Sequence, residues 1–76
     1  MKVFANRIIH NGNKHCVLVA ANSVKEAILT LDLGVICGTV EHDYPKDNWS
    51  EIERLDYNTD TNTIIAEYWY YEKDKL

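Results

Sequence analysis

The chain has 76 residues, 46% of them hydrophobic and 26% charged, with three glycines and one proline. That is enough for a single domain over residues 1–76 with one core, and the composition is that of an ordered globular chain. The formal net charge is -4 and lies unevenly: residues 1–34 carry four basic and two acidic side chains, the remainder four and ten. A protein that holds phosphates gathers Lys and Arg on one face, so direct nucleic-acid binding is disfavoured and a basic protein partner is the better expectation. No apolar run reaches the roughly eighteen residues that cross a bilayer, and "MKVFANRIIHNG" lacks the long apolar segment of a secretory signal, so the expected location is cytoplasmic, away from any membrane. Two cysteines, Cys16 and Cys37, are too few for a disulfide framework and read as buried free thiols.

Residues 2–9 and 15–21 are β-branched or apolar runs on either side of Asn11-Gly12, the strongest short hairpin signal, because both residues tolerate positive φ. If the loop gives even-to-even pairing, Phe4, Ile8, Cys16, Leu18 and Ala20 share one face with Asn6 as its polar intruder. Val3, Ala5, Val17 and Val19, with Arg7 and His15, then take the other.

Ser23 and Glu26 stand at capping-box spacing and start a helix. Val24, Ala27, Ile28 and Leu31 give it one apolar stripe, and Gly34 can supply a left-handed residue to close it. Residues 35–40 then read as a strand weakened by Gly38, and residues 43–50 as a loop in which Pro45 forbids regular structure. Residues 51–58 and 63–72 read as a second hairpin around "TDTN", although Ser50 and Glu53 repeat the capping-box spacing and allow a short helix instead. The expected fold class is α+β: a small two-layer ββα-βββ domain, one helix on a mainly antiparallel sheet of four or five strands, with a β-grasp-like pair of hairpins around the helix as the first topology to try.

Asp56, Asn58, Asp60 and Glu67 match positions 1, 3, 5 and 12 of an EF-hand loop, but Thr61 stands where that loop needs Gly and the exit is β-branched, so a plain turn is the better reading. His10, His15 and His42 form no short metal-ligand motif, and His15 and Cys16, as strand neighbours, point to opposite faces. No catalytic residue, metal ligand or cofactor is assigned on this basis, and the expected function is not enzymatic. Glycine-rich phosphate cradles are absent.

Two features remain. Glu41, Asp43, Asp47, Glu51 and Glu53 crowd the middle of the chain, and Tyr68, Trp69, Tyr70 and Tyr71 crowd one strand, preceded by Tyr44, Trp49 and Tyr57. The aromatics lack the basic neighbours of a base-stacking sheet. One arrangement puts Tyr68 and Tyr70 under the helix with Trp69 and Tyr71 shielded by the Pro45 loop through Trp49. The other leaves Ile65, Trp69 and Tyr71 as an apolar patch on the uncovered sheet face, built for association. The leading expectation is a non-catalytic acidic protein-binding module that self-associates, as a dimer, or binds a basic partner through these residues. In size and charge alone the chain is similar to phage or mobile-element proteins that block host defence complexes, anti-CRISPR proteins among them, which would imply an acidic surface mimicking nucleic acid. A purely structural homo-oligomer and a small metal-binding or enzymatic domain are the further alternatives.

Overall fold

The structure is a computed structural model and describes residues 1–70, the side chain of Tyr70 excepted. Five elements follow one another: β1 (Lys2–His10), β2 (Asn13–Ala21), α1 (Val24–Cys37), β3 (Trp49–Asp56) and β4 (Thr63–Tyr70). One helix lies on a four-stranded antiparallel sheet of order β3-β1-β2-β4, the expected small α+β domain. Among the described residues no helix is long and apolar enough to cross a membrane.

The β1–β2 hairpin forms as its sequence demands. Asn11 and Gly12 both adopt positive φ, 53° and 79°, so the loop has two residues and His10 faces Asn13 directly. Two residues fix an even-to-odd register, not the even-to-even one. Phe4, Asn6 and Ile8 therefore share a face with Ala21, Val19, Val17 and His15, while Val3 and Ala5 go with Cys16, Leu18 and Ala20.

The helix covers the first of these faces. Ser23 caps it through Oγ, which accepts from Glu26 N–H at 3.2 Å, and Glu26 Oε1 reaches back to accept from Asn22 N–H. Ala27, Leu31 and Gly34 are its buried residues, and Val24, expected in the stripe, is largely exposed. Gly34 does not end the helix, and residues 35–40 are not a strand. The chain stays helical to Cys37 and closes at Gly38, whose left-handed backbone (φ 82°) lets its N–H reach the Gly34 and Val35 carbonyls. Gly34 instead permits close approach: a Cβ there would overlap Ile64 Cδ1 and lie 2.9 Å from Val40 Cγ2. Cys16 is buried and Cys37 is exposed, both as free thiols, so only one of the two is a core cysteine.

The second hairpin does not form. β3 pairs with β1 and β4 with β2, so the two last strands lie on opposite edges, and residues 57–62 carry the chain from one edge to the other instead of closing a tight turn. Tyr57 secures this crossing by donating its N–H to the Met1 carbonyl at 2.9 Å. Residues 50–53, with their helix-like spacing, are in β3.

The core joins Phe4, Val17, Val19 and Ala21 of the sheet to Ala27 and Leu31 of the helix and to Val40 and Tyr44 of the connection that follows. The far sheet face has no second layer among the described residues, yet Val3, Ala5, Cys16 and Ala20 are buried. These are small or β-branched side chains flanked by longer cross-strand neighbours: Leu18 opposite Ala5, and Arg7 and Tyr68 on either side of Cys16.

Candidate functional site: a strapped sheet and a histidine cleft

One row of cross-strand partners organises the helix-side face. Trp49, Asn6, Val17 and Glu67 stand side by side across all four strands. Residues 39–48 run over this row as a strap beside the helix. The only two polar side chains of the row, Asn6 and Glu67, hold it.

Glu67 receives the start of the strap. Its Oε1 accepts from the Glu41 N–H at 2.8 Å, and its Oε2 accepts from the His42 N–H at 3.2 Å and from the Tyr44 hydroxyl at 2.9 Å. Asn6 is fully buried and receives the end: its Nδ2 donates to the Pro45 carbonyl at 2.8 Å and its Oδ1 accepts from Asn48 Nδ2 at 3.1 Å. Asn48 also donates to the Arg7 carbonyl at 2.6 Å. A surface ion pair between Lys46 and Asp32 of the helix, at 3.8 Å, adds little. Trp49 closes the row, partly buried against the core with its Nε1 unpaired.

Burial and the bond to the Glu67 carboxylate, aided by that carboxylate's charge and more weakly by Cys16 and Glu41, push the Tyr44 hydroxyl far above the ordinary tyrosine range. The folded chain thus keeps a proton that the unfolded chain releases near pH 10. The resulting stability is complete below that pH and is lost as pH rises above it, by up to about 1.4 kcal/mol per pH unit. Urea unfolding of the parent and of Tyr44→Phe from about pH 9 to pH 11 is expected to show the parent losing stability faster; equal slopes would refute the assignment.

Beyond the strap, toward the hairpin turn, comes the row of Ile8, His15 and Trp69. His15 is nearly buried, and its ring lies 4.2 Å from that of His42 on the strap, with His10 from the hairpin end at 5.3 Å from His42 and 6.1 Å from His15. All three histidines of the chain meet here. His15, His42, Glu41, Glu67, Thr39 and Trp69 line a cleft of about 420 Å³ next to the helix C-terminus. Among the described residues no group of three or more His, Cys, Asp or Glu could hold a metal ion.

The residues expected to bind a partner are not brought together as one surface. Trp69 is 54% exposed but lies on the helix side, at the outer edge, and not on the far face. A bulge explains this: Val19 faces Ile64 and Leu18 faces Ala66, so Ile65 is an extra residue that interrupts simple alternation and puts Ile64, Glu67 and Trp69 on the same side. Tyr68, 44% exposed, is on the far face and not beneath the helix. Ile65 is half-buried in the bulge, and Tyr71 lies outside the described residues. The Pro45 connection shields the helix-side face, with Trp49 beneath it, rather than the opposite one.

Glu41, Asp43, Asp47, Glu51 and Glu53 are all exposed, Glu41 beside β4 and Glu51 and Glu53 on β3 at the other edge. The calcium-loop pattern comes apart: Asp56 accepts from the Met1 amine at 2.9 Å, and both Glu67 oxygens are taken by the strap. The histidine cluster was not foreseen, although Asn11-Gly12 read as a two-residue loop already puts His10 and His15 on one face. No family model, curated protein or solved structure matches this chain.

Proposed function

We propose that this chain is a non-catalytic protein-binding module that self-associates through its outer strand β4 and offers its acidic outer strand β3 to a basic partner. What carries the reading is the difference between the two outer strands. β3 sets Glu51, Glu53 and Arg54 in the open, the usual protection of a sheet edge against pairing with another chain. β4, "TIIAEYWY", has a single charge, Glu67, and that carboxylate is turned inward onto the strap. Its exposed side chains include Tyr68 and Trp69, residue types enriched where binding energy concentrates. An edge whose one charge is turned inward and which has two exposed aromatics suits an antiparallel copy of itself, because a two-fold axis matches the same strand with itself. The acidic β3 edge would repel its own copy and attract a basic surface, which speeds and selects encounter more than it adds affinity.

Light scattering coupled to size exclusion over a hundredfold concentration range tests the first half. The parent is expected to dimerise and a Tyr68→Lys/Trp69→Lys variant to remain monomeric, while Glu51→Lys/Glu53→Lys still dimerises. A monomeric parent throughout, or a dimer unchanged by the β4 substitutions, would reject the self-association surface.

A further inference from the structure

We propose that the cleft between the strap, the helix C-terminus and β4 binds a guanidinium group. The proposal goes beyond the protein-binding reading, which puts a basic surface against β3 at the opposite edge, and does not depend on it.

Two independent observations lead there. The first is a buried polar side chain with no hydrogen bond. His15 is only 9% exposed and lines the cleft, yet among the described residues its imidazole has no hydrogen-bond partner and is neighboured by the rings of His10 and His42. Buried polar groups are normally bonded, and a neutral imidazole offers one nitrogen that accepts. A ligand with N–H groups seated in the cleft supplies that partner.

The second is the sign of the surroundings. Of the described residues that line the cleft, Glu41 and Glu67 are acidic and none is Lys or Arg. Gly38 and Thr39 line it too, and the last turn of α1 has no basic side chain to offset the partial negative charge of the helix end. Glu67 spends three hydrogen bonds on the strap, whereas Glu41 is tied through its backbone N–H, which leaves its exposed carboxylate to meet a cation.

The walls favour a guanidinium over an ammonium. His15, His42 and Trp69 offer flat aromatic surfaces, with Trp69 directly across from His15 in the β2–β4 ladder. A planar guanidinium stacks on such rings while its N–H donors point outward in its own plane, toward carboxylate and imidazole; an ammonium is a compact, strongly hydrated point charge. The volume of about 420 Å³ is within the range of small-ligand sites. An arginine side chain of a partner and a small guanidine compound share this chemistry. The competing explanation is a cleft that holds water alone.

Titration of the ¹⁵N-labelled chain with n-butylguanidinium and with n-butylurea, its neutral planar analogue, separates the two by amide shifts. Saturable shifts of the Thr39, Glu41, His42 and Trp69 amides are expected with the cation, in about the millimolar range for so small a ligand, and binding of the urea at least about tenfold weaker. Glu41→Gln, at an exposed position, and His15→Phe, which keeps an aromatic ring, should each weaken the cation by about tenfold. Glu51→Gln/Glu53→Gln should leave it unchanged, and thermal melting without ligand reports whether each variant is folded. A blocked Gly-Arg-Gly peptide that binds as tightly as n-butylguanidinium points to a protein side chain as the occupant; a peptide that does not bind points to a small molecule. No saturable shift, equal binding of the urea, or cation binding undiminished in folded Glu41→Gln would overturn the site. Shifts confined to β3 would overturn it as well, while leaving the acidic edge as the place for a basic partner.

Discussion

Replacing Asn6 by leucine is expected to destabilise the fold by about 2–3 kcal/mol, even though it puts an apolar residue into an apolar face. The side chain is fully buried between Phe4 and Ile8 in alternation, and its two bonds reach Pro45 and Asn48, some forty residues along the chain. Leucine fills comparable space but leaves the Pro45 carbonyl with only the longer, 3.2 Å bond from the Asn48 N–H, and Asn48 Nδ2 with only the Arg7 carbonyl. Asn6→Asp separates the hydrogen bonds from the packing. It keeps the shape, but an ionised carboxylate cannot donate to Pro45 and is buried, so it should cost more than leucine at neutral pH. Its folded-state pKa is then raised, so its contribution improves as pH falls through that value, where the protonated carboxyl can donate again. Urea midpoints at fixed protein concentration measure all three proteins. A leucine variant within about 0.5 kcal/mol of the parent would mean that the strap does not depend on Asn6.

Asn6 also marks how far the sequence could be read. The hairpin, the helix start and the α+β class follow from local chemistry: Asn11-Gly12, Ser23 with Glu26, and apolar spacing. Each depends on residues a few positions apart. The errors came where two local rules gave competing answers or where the answer was not local. Gly34 and Gly38 are both plausible helix ends, and what decides is that Gly34 lies against Ile64 and Val40, a contact no short window contains. β3 and β4 look like a hairpin because they are adjacent in sequence, yet each pairs with a strand of the first hairpin. The bulge at Ile65 shifts the face of Trp69 without leaving a glycine or proline to announce it. Asn6 was visible as a polar residue on an apolar face, but what it bonds could not be read. A buried polar residue implies a partner and does not name it.

The strap and the histidine cleft share a support, which makes a connection between stability and site. His42 belongs to the strap, His15 to the sheet, and the carboxylate that holds the one beside the other is Glu67. A sheet face that could have been closed by a longer helix is closed instead by ten residues of irregular chain, whose backbone polar groups need side-chain partners from below. That is why the face bears one carboxylate and one amide among its apolar residues. It also means that any partner seated on the strap would act on a segment with few packing contacts of its own, Val40 and Tyr44 being its buried members.

Glu67→Ala should therefore have the other large effect, about 3 kcal/mol, concentrated in the strap. The carboxylate accepts three hydrogen bonds, and bonds to a charged acceptor are the stronger kind. Water can replace it for the exposed Glu41 N–H, but the Tyr44 hydroxyl is buried in the core and would have to keep its place without an acceptor or leave. Glu67→Gln should cost less, about 1 kcal/mol, because its carbonyl oxygen still accepts on one side, while its NH₂ faces donors that a carboxylate oxygen had satisfied. Amide hydrogen exchange gives the spatial test. In Glu67→Ala the amides of Glu41 and His42 should lose protection well before those of the β1–β2 ladder, since local opening of the strap need not unfold the sheet. If exchange instead accelerates evenly across the chain, the strap and sheet unfold as one unit and Glu67 is a core residue in effect. If neither exchange nor the urea midpoint changes, the three bonds do not hold the strap, and His42 is kept beside His15 by something other than the carboxylate.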